Sequence, residues 1–104
     1  MVAKTLRHID LQPSHPGELL REIVIPATGK SKVEIAQLLG ISRQSLYDIL
    51  AERQSITPAM AVRVGKMFGD GPEVWLKMQA AHDLWQAARD LKDEVADIPT
   101  LHAA

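Results

Sequence analysis

A cluster of polar residues near the middle of this 104-residue chain holds the side chains best suited to specific chemistry. The cluster consists of Ser42, Arg43, Gln44, Ser45, Tyr47 and Asp48. Arginine can donate two hydrogen bonds to guanine O6 and N7, and glutamine can pair with the edge of adenine. Serine hydroxyls and the amides at a helix N-terminus suit phosphate oxygens. A helix that presents these side chains outward is therefore expected to bind the major groove of duplex DNA.

Two further members of the cluster have more than one possible role. Tyr47 can contact a thymine methyl group or donate its hydroxyl to a phosphate. Asp48 is unusual here, because a carboxylate close to phosphates is electrostatically unfavourable. It could accept a hydrogen bond from cytosine N4, or it could orient Arg43 or Arg53 through an ion pair, and we favour the orienting role. Lys32 and Arg53 complete the predicted DNA-binding set.

The residues around the cluster predict two short helices joined by a tight turn, from Lys32 to Gln54. Ser31 and Glu34 have the spacing of a capping box at the first helix start. Gly40 fits a left-handed position at its end, and Ser42 can cap the second helix. The buried sides are expected to contain Ile35, Ala36, Leu38, Leu39, Ile41, Leu46, Ile49 and Leu50. The spacing is typical of a helix-turn-helix; the alternative is that the polar face is only a solvated helix surface.

Prolines and apolar spacing in the rest of the chain also predict helices. One is expected to begin near Pro16, to bury Leu19, Leu20 and Ile23, and to stop at Pro26. Another should run from Pro58 to Phe68, and a longer one from Pro72 to roughly Val95. Together these patterns predict an all-α, five-helix DNA-binding domain with a longer C-terminal helix.

The predicted organisation is an N-terminal arm (1–14), a helix-turn-helix domain (15–80) and a C-terminal helix extension and tail (81–104) in the same compact unit. The long helix carries apolar residues at alternating spacings of four and three, more than one small core should need. We therefore assign Met78, Trp85 and Leu91 to a candidate interface with a second copy or another partner. The alternative is that this stripe folds back and completes the chain's own core.

Composition argues against several other functional classes. The chain has no cysteine, so disulfides and thiolate metal sites are excluded, and a reducing cytoplasm is compatible with it. The four histidines include no pair at the spacing of a helical metal site. Glycine-rich phosphate loops and nucleophile motifs are lacking, so we expect no enzymatic activity, metal or cofactor. We see no apolar run long enough for a membrane span, and no apolar N-terminal signal segment.

The formal net charge of −1 is low for a DNA-binding protein, but the charges are segregated along the chain. From Lys30 to Lys66 there are six basic and three acidic residues, whereas from Met67 onward there are three basic and seven acidic residues. The basic centre can supply the salt-dependent phosphate attraction. Six cations are few, which favours a dimer on two half-sites.

An ordered set of short motifs over residues 13–80 resembles the HigA/VapI antitoxin family, which has a lambda-repressor-like helix-turn-helix. The motifs are His15-Pro16-Gly17-Glu18 with Leu20 and Glu22, Ala36 to Gln44, Ile56-Thr57-Pro58 with Ala61 and Arg63, Phe68-Gly69, and Pro72-Glu73 with Trp75-Leu76 and Gln79. One departure is Gly71, where a Ser or Thr cap is common; it concerns stability rather than function.

This resemblance implies an antitoxin that neutralises a HigB-type, RelE-like ribonuclease and represses its own operon as a dimer on a palindromic operator. Ser42, Arg43, Gln44 and Tyr47 match the positions at which such repressors read DNA. Two alternatives remain from the residues: a stand-alone prophage or plasmid regulator without a toxin, and a protein-binding module that has lost DNA affinity. The resemblance assigns neither the operator sequence nor the toxin-docking surface.

Overall fold

The computed structural model describes residues 11–102, and this part of the chain forms six helices and no strand. Helix α1 combines Pro16–Leu19, a π-helical segment Leu20–Val24, and Ile25–Thr28. The others are α2 (Lys32–Leu39), α3 (Arg43–Leu50), α4 (Pro58–Phe68), α5 (Pro72–Asp90) and α6 (Lys92–Ala96). The all-α prediction is confirmed. The predicted number of five helices is wrong, because the last predicted helix breaks at Leu91 into α5 and α6. Most of the predicted N-terminal arm lies outside the described residues.

The helix boundaries in the centre of the chain follow local capping chemistry. Ser31 Oγ accepts from the Glu34 amide at 3.1 Å while Glu34 Oε1 accepts from the Ser31 amide at 3.2 Å, which confirms the capping box. Gly40 ends α2 with a φ of 73°, a left-handed conformation that costs glycine little. Ser42 then caps α3 by accepting from the Ser45 amide at 3.0 Å. The turn between α2 and α3 is therefore fixed from both sides.

Helix α1 continues past the proline that was predicted to end it. Inside a regular α-helix, the ring of Pro26 would clash with the carbonyl four residues earlier, and its nitrogen has no proton to donate. The π-helical segment widens this turn, and the Ile25 amide donates to the Leu20 carbonyl five residues back. Such a bulge absorbs the proline, so the helix ends only at Gly29, whose φ is 70°.

A single apolar core holds α1 to α5 together. Its buried members are Leu20, Ile25, Ile35, Ala36, Leu39, Leu46, Ile49, Leu50, Ile56, Ala61, Val64 and Trp75. The predicted burial of two residues is wrong, because Ile23 is 61% exposed and Leu38 is 63% exposed. The wider π turn changes the direction in which Ile23 points, and Leu38 lies about 100° from Leu39 around α2, so only Leu39 faces inward.

Helix α3 is held against α1 at very short range. A Cβ added to Gly17 would overlap the Ile49 carbonyl oxygen of α3. His15 Nδ1, directly before α1, accepts from the Gly17 amide at 2.8 Å and so caps this helix. Burial and then the charge that His82 can carry lower the pKa of His15, so the ring stays neutral and able to accept this bond.

Arginine side chains from other helices satisfy the carbonyls at the ends of α2 and α3. Arg63 Nη1 of α4 donates to the Leu39 carbonyl at 2.7 Å, and Arg21 Nη1 of α1 donates to the Leu50 carbonyl. Carbonyls in the last turn of a helix have no partner within the helix, so these donors stabilise both C-termini. The helix-turn-helix is thus connected to the rest of the domain by hydrogen bonds as well as by the core.

The loop between α3 and α4 is held by α5. Gln79 is buried, and its Oε1 accepts from the Ile56 amide at 2.8 Å. Its Nε2 donates to Asp83 Oδ1 at 3.0 Å, which fixes the orientation of the amide. Within residues 11–102, no helix is both long and apolar enough to cross a membrane.

Substitution of Gly17 by alanine is expected to destabilise the domain by about 1–3 kcal/mol, because the new methyl group would force α1 and α3 apart. Urea unfolding followed by circular dichroism measures this free energy. Glu18→Ala is the matched control, because Glu18 is the next residue and is exposed. Equal stability of the two variants would show that α1 and α3 separate without cost.

Candidate nucleic-acid interface

Helix α3 has two faces of opposite character. Leu46, Ile49 and Leu50 are buried in the core. Opposite them, Ser42, Arg43, Gln44 and Tyr47 are exposed, and Ser45 and Asp48 are partly exposed. Every predicted DNA-contact residue on this helix therefore reaches the surface of the chain, where duplex DNA can approach it.

Asp48 organises the centre of the polar face. Its Oδ1 accepts from Gln44 Nε2 at 2.9 Å, from Arg53 Nη2 at 2.8 Å and from Arg53 Nε at 3.2 Å. Of the two arginines predicted as partners, it is Arg53 that Asp48 contacts. These hydrogen bonds, first from Arg53 and then from Gln44, hold the pKa of the Asp48 carboxyl below its usual value. Asp48 is therefore an anion that positions two donor side chains.

This contact also fixes which way the Gln44 amide points. An ionised carboxylate can only accept hydrogen bonds, so the group facing it must be the NH₂ and not the carbonyl oxygen. The Gln44 carbonyl oxygen and its second N–H then remain for a base edge. Those are the acceptor and the donor that pairing with adenine requires. Gln44 and Asp48 are four residues apart in one helix, a spacing that could have indicated this contact, although it was not predicted from the sequence.

Lys32 belongs to the same surface despite its distance along the chain. It is the first residue of α2, and its Nζ lies 5.8 Å from the centroid of the Tyr47 ring. This separation is within the range of a cation–π contact, which orients both side chains. The structure thus brings the Lys32 cation next to the aromatic residue of α3.

The N-terminus of α3 provides hydrogen-bond donors of its own. Ser42 Oγ accepts from the Ser45 amide and lies 3.0 Å from the Ser45 hydroxyl, so both serines are engaged in the cap. The cap thus occupies the Ser45 amide, and the amides of Arg43 and Gln44 lie before it at the positive end of the helix. Phosphate oxygens can bind there, with the serine hydroxyls at the margin.

Arg63 and Arg21, by contrast, bind backbone carbonyls within the domain. Arg21 Nη1 also lies 3.3 Å from Glu52, a non-glycine residue with a φ of 63°. Arg63 is one of the six basic residues between Lys30 and Lys66. Its structural role could not be predicted from the sequence, because it depends on the contact that α4 makes with the end of α2. The basic side chains placed on the α3 face are therefore Arg43, Arg53 and Lys32.

The predicted interface residues lie on α5 but in different surroundings. Met78 packs against the core and is only partly exposed. Trp85 is half-buried, and the Arg89 guanidinium lies 4.5 Å from its ring centroid. Leu91 is 49% exposed where α5 ends. In the part of the chain that the structure describes, no group of acidic residues and histidines could hold a metal ion.

Comparison with known proteins identifies the family. No family model matches the chain. Virulence-associated protein I of Dichelobacter nodosus is 38% identical over 76 residues, which cover 73% of this chain and 70% of that protein. The antitoxin GraA in complex with its operator has a TM-score of 0.81 and 35% identity, and the match covers 89% of this chain and 95% of that one.

Pseudomonas aeruginosa antitoxin HigA with the higBA promoter also has a TM-score of 0.81, at 28% identity, with coverage of 88% of this chain and all of that one. This chain belongs to the HigA/VapI family. The resemblance inferred from its motifs is thereby confirmed, as is the helix-turn-helix fold. GraA and HigA are both named antitoxins, and each of these two solved structures contains DNA.

In this member of the HigA/VapI family, the pKa of Asp48 should lie below the value of about 3.9 for an unstructured aspartate. Carbon NMR of the carboxyl group during acid titration measures it. Arg53→Ala should raise this pKa towards the ordinary value, because it removes the largest stabilising contact. Gln44→Ala, the matched control, should raise it less. An ordinary Asp48 pKa in the unsubstituted protein would contradict the described network.

Proposed function

We propose that this protein is the antitoxin of a type II toxin–antitoxin pair. It binds and neutralises a HigB/RelE-like mRNA endonuclease and, as a homodimer in the cytoplasm, represses its own operon by binding a palindromic operator. The observation that carries the DNA-binding part is the preorganised polar face of α3, where Asp48 holds Gln44 and Arg53 in place. The operator and promoter complexes of GraA and HigA support the same role.

The DNA-binding residues have distinct proposed roles. Arg43 reads guanine, and Gln44 reads adenine with its amide oriented by Asp48. Ser42 and Ser45, together with the first-turn amides of α3, bind phosphate oxygens. Tyr47 contacts a thymine methyl group or a phosphate, and Lys32 and Arg53 bind the flanking phosphates. No enzymatic step and no cofactor are needed for this role.

A homodimer follows from the small number of cations on each α3 face. Two copies double the phosphate contacts, and a two-fold dimer places its α3 helices about 34 Å apart, one turn of the duplex. The second half of α5 is the proposed dimer surface, with Trp85 at its centre, Leu91 towards the tail and Met78 at the inner edge. Leu84 adds further apolar area, because it is 70% exposed.

The toxin-binding part is supported by the relatives named as antitoxins and by the distribution of charge. The acidic excess after Met67 gives the C-terminal third a negative field, which suits a basic protein of the RelE-like class. This surface is distinct in sequence from the basic residues of α2 and α3. The two proposed activities therefore use oppositely charged parts of one chain.

Arg43→Ala should weaken operator binding by about 1–3 kcal/mol and relax the preference for one base pair, because the bidentate contact to guanine is lost. Gel shifts with the protein's own promoter and with random duplex measure both effects. Arg43→Lys is the matched control: it keeps the charge but not the fork of donors, so it should lose base preference and retain non-specific binding. An equal loss on promoter and random DNA would contradict the reading role of Arg43.

Co-expression with the adjacent reading frame tests the toxin part. Induction of that frame alone should arrest growth, and this protein should restore growth by forming a complex with the toxic product. Arg43→Ala should restore growth equally well, because it affects only the DNA face. A harmless neighbour, combined with operator binding that remains intact, would leave a stand-alone regulator and refute the antitoxin.

A further inference from the structure

An apolar groove between α2 and α4 lies open on the surface. It has a volume of about 540 Å³ and is lined by Leu38, Leu39, Val62, Arg63, Lys66 and Met67. Leu38 and Val62 are 63% and 59% exposed, which is unusual for adjacent large apolar side chains. A second depression, lined in part by Pro72 and Gly71, shares Val62 and Lys66 with it. The groove therefore extends from α2 to the start of α5, with a basic rim.

The end of the described chain has the complementary character. Every residue from Gln86 to His102 is exposed, although this segment contains α6. Its apolar side chains are Leu91, Val95, Ile98 and Leu101. After α5 it carries three acidic residues, Asp93, Glu94 and Asp97, against one lysine, Lys92, so its net charge is negative. Such a segment, apolar on part of its surface and negative elsewhere, matches a groove with an apolar floor and a positive rim. One copy of the chain leaves both surfaces uncovered.

The geometry of α5 indicates how the two surfaces can meet. If two α5 helices pair antiparallel with Trp85 on the two-fold axis, a residue beyond Trp85 lies beside the partner residue equally far before it. Asp90, the last residue of α5, then lies beside the partner residue at position 80, which is eight residues, or roughly 12 Å at ~1.5 Å per residue, from the start of that helix at position 72. Residues 92–102 follow the end of α5 and are long enough to cross that distance, since an extended chain spans roughly 3.3 Å per residue. The tail of one copy would then run to the start of the partner's α5. That start borders the groove.

We infer that the C-terminal tail, residues 92–102, binds the α2–α4 groove of a second copy of this chain. Ile98 and Leu101 cover Val62 and Leu38, and Asp97 faces Lys66. A two-fold dimer forms this contact twice, because each copy provides one tail and one groove. The inference rests on the proposed homodimer and adds its architecture. Each tail packs against the domain of the partner, and the two contacts together fix the separation of the two α3 helices.

Cysteine cross-linking tests this arrangement cleanly, since the chain contains no cysteine. Val62→Cys and Ile98→Cys proteins are purified separately, mixed to exchange subunits, and oxidised. The mixture should form a disulfide-linked dimer on a non-reducing gel, and neither variant alone should do so. Lys30→Cys, exposed but outside the groove, is the matched control and should not cross-link to Ile98→Cys.

A charge exchange checks the same contact without a cross-link. Lys66→Asp and Asp97→Lys should each weaken the dimer measured by sedimentation, and the double variant should restore it, which excludes simple misfolding. A stable dimer in which Val62→Cys does not cross-link to Ile98→Cys would overturn the inference and leave the proposed function intact. So would cross-linking of Val62→Cys to itself. A wild-type chain that sediments as a monomer would overturn both this inference and the proposed homodimer.

Discussion

The fold depends on the close contact between α1 and α3 at Gly17 and Ile49. That contact sets the depth at which α3 lies in the domain, and so it decides which side chains of α3 are buried and which are presented. Arg21, one turn further along α1, donates to the end of α3 and fixes its axial position. A polar helix with so small a buried face would be marginal alone, and its order comes from this packing.

Local chemistry made the centre of the chain predictable. The capping box at Ser31, the left-handed Gly40 and the cap at Ser42 each involve residues at most five positions apart, so their spacing already encodes their contacts. The same applies to the polar face of α3, since its periodicity separates it from Leu46 and Ile49. The placement of the proposed DNA-contact residues on one surface could therefore be read from the sequence.

Errors arose where distant parts of the chain decide the outcome. Pro26 is accommodated by the π-helical turn before it, and Ile23, which lies within that turn, is exposed. Leu38 borders the open groove between α2 and α4, so its exposure depends on how far apart these two helices lie on that side. The role of Arg63 depends on its contact with the Leu39 carbonyl, 24 residues away. Composition and spacing contain no signal for these long-range contacts. An arginine that bonds within the domain, such as Arg63, therefore cannot be distinguished by sequence from one that is available to DNA.

Helix α5 connects the two proposed interfaces. Through Gln79 it holds the loop that follows α3. Six residues later it carries Trp85, and the exposed tail follows its end at Asp90. Because Gln79 is buried and both ends of its amide are bonded, the orientation of α5 relative to that loop is fixed. Any dimer built on α5 therefore also fixes the distance and angle between the two α3 helices. If the proposed dimer binds an operator, a partner that displaced α5 or its tail would change the affinity without contacting any of the proposed DNA-binding residues.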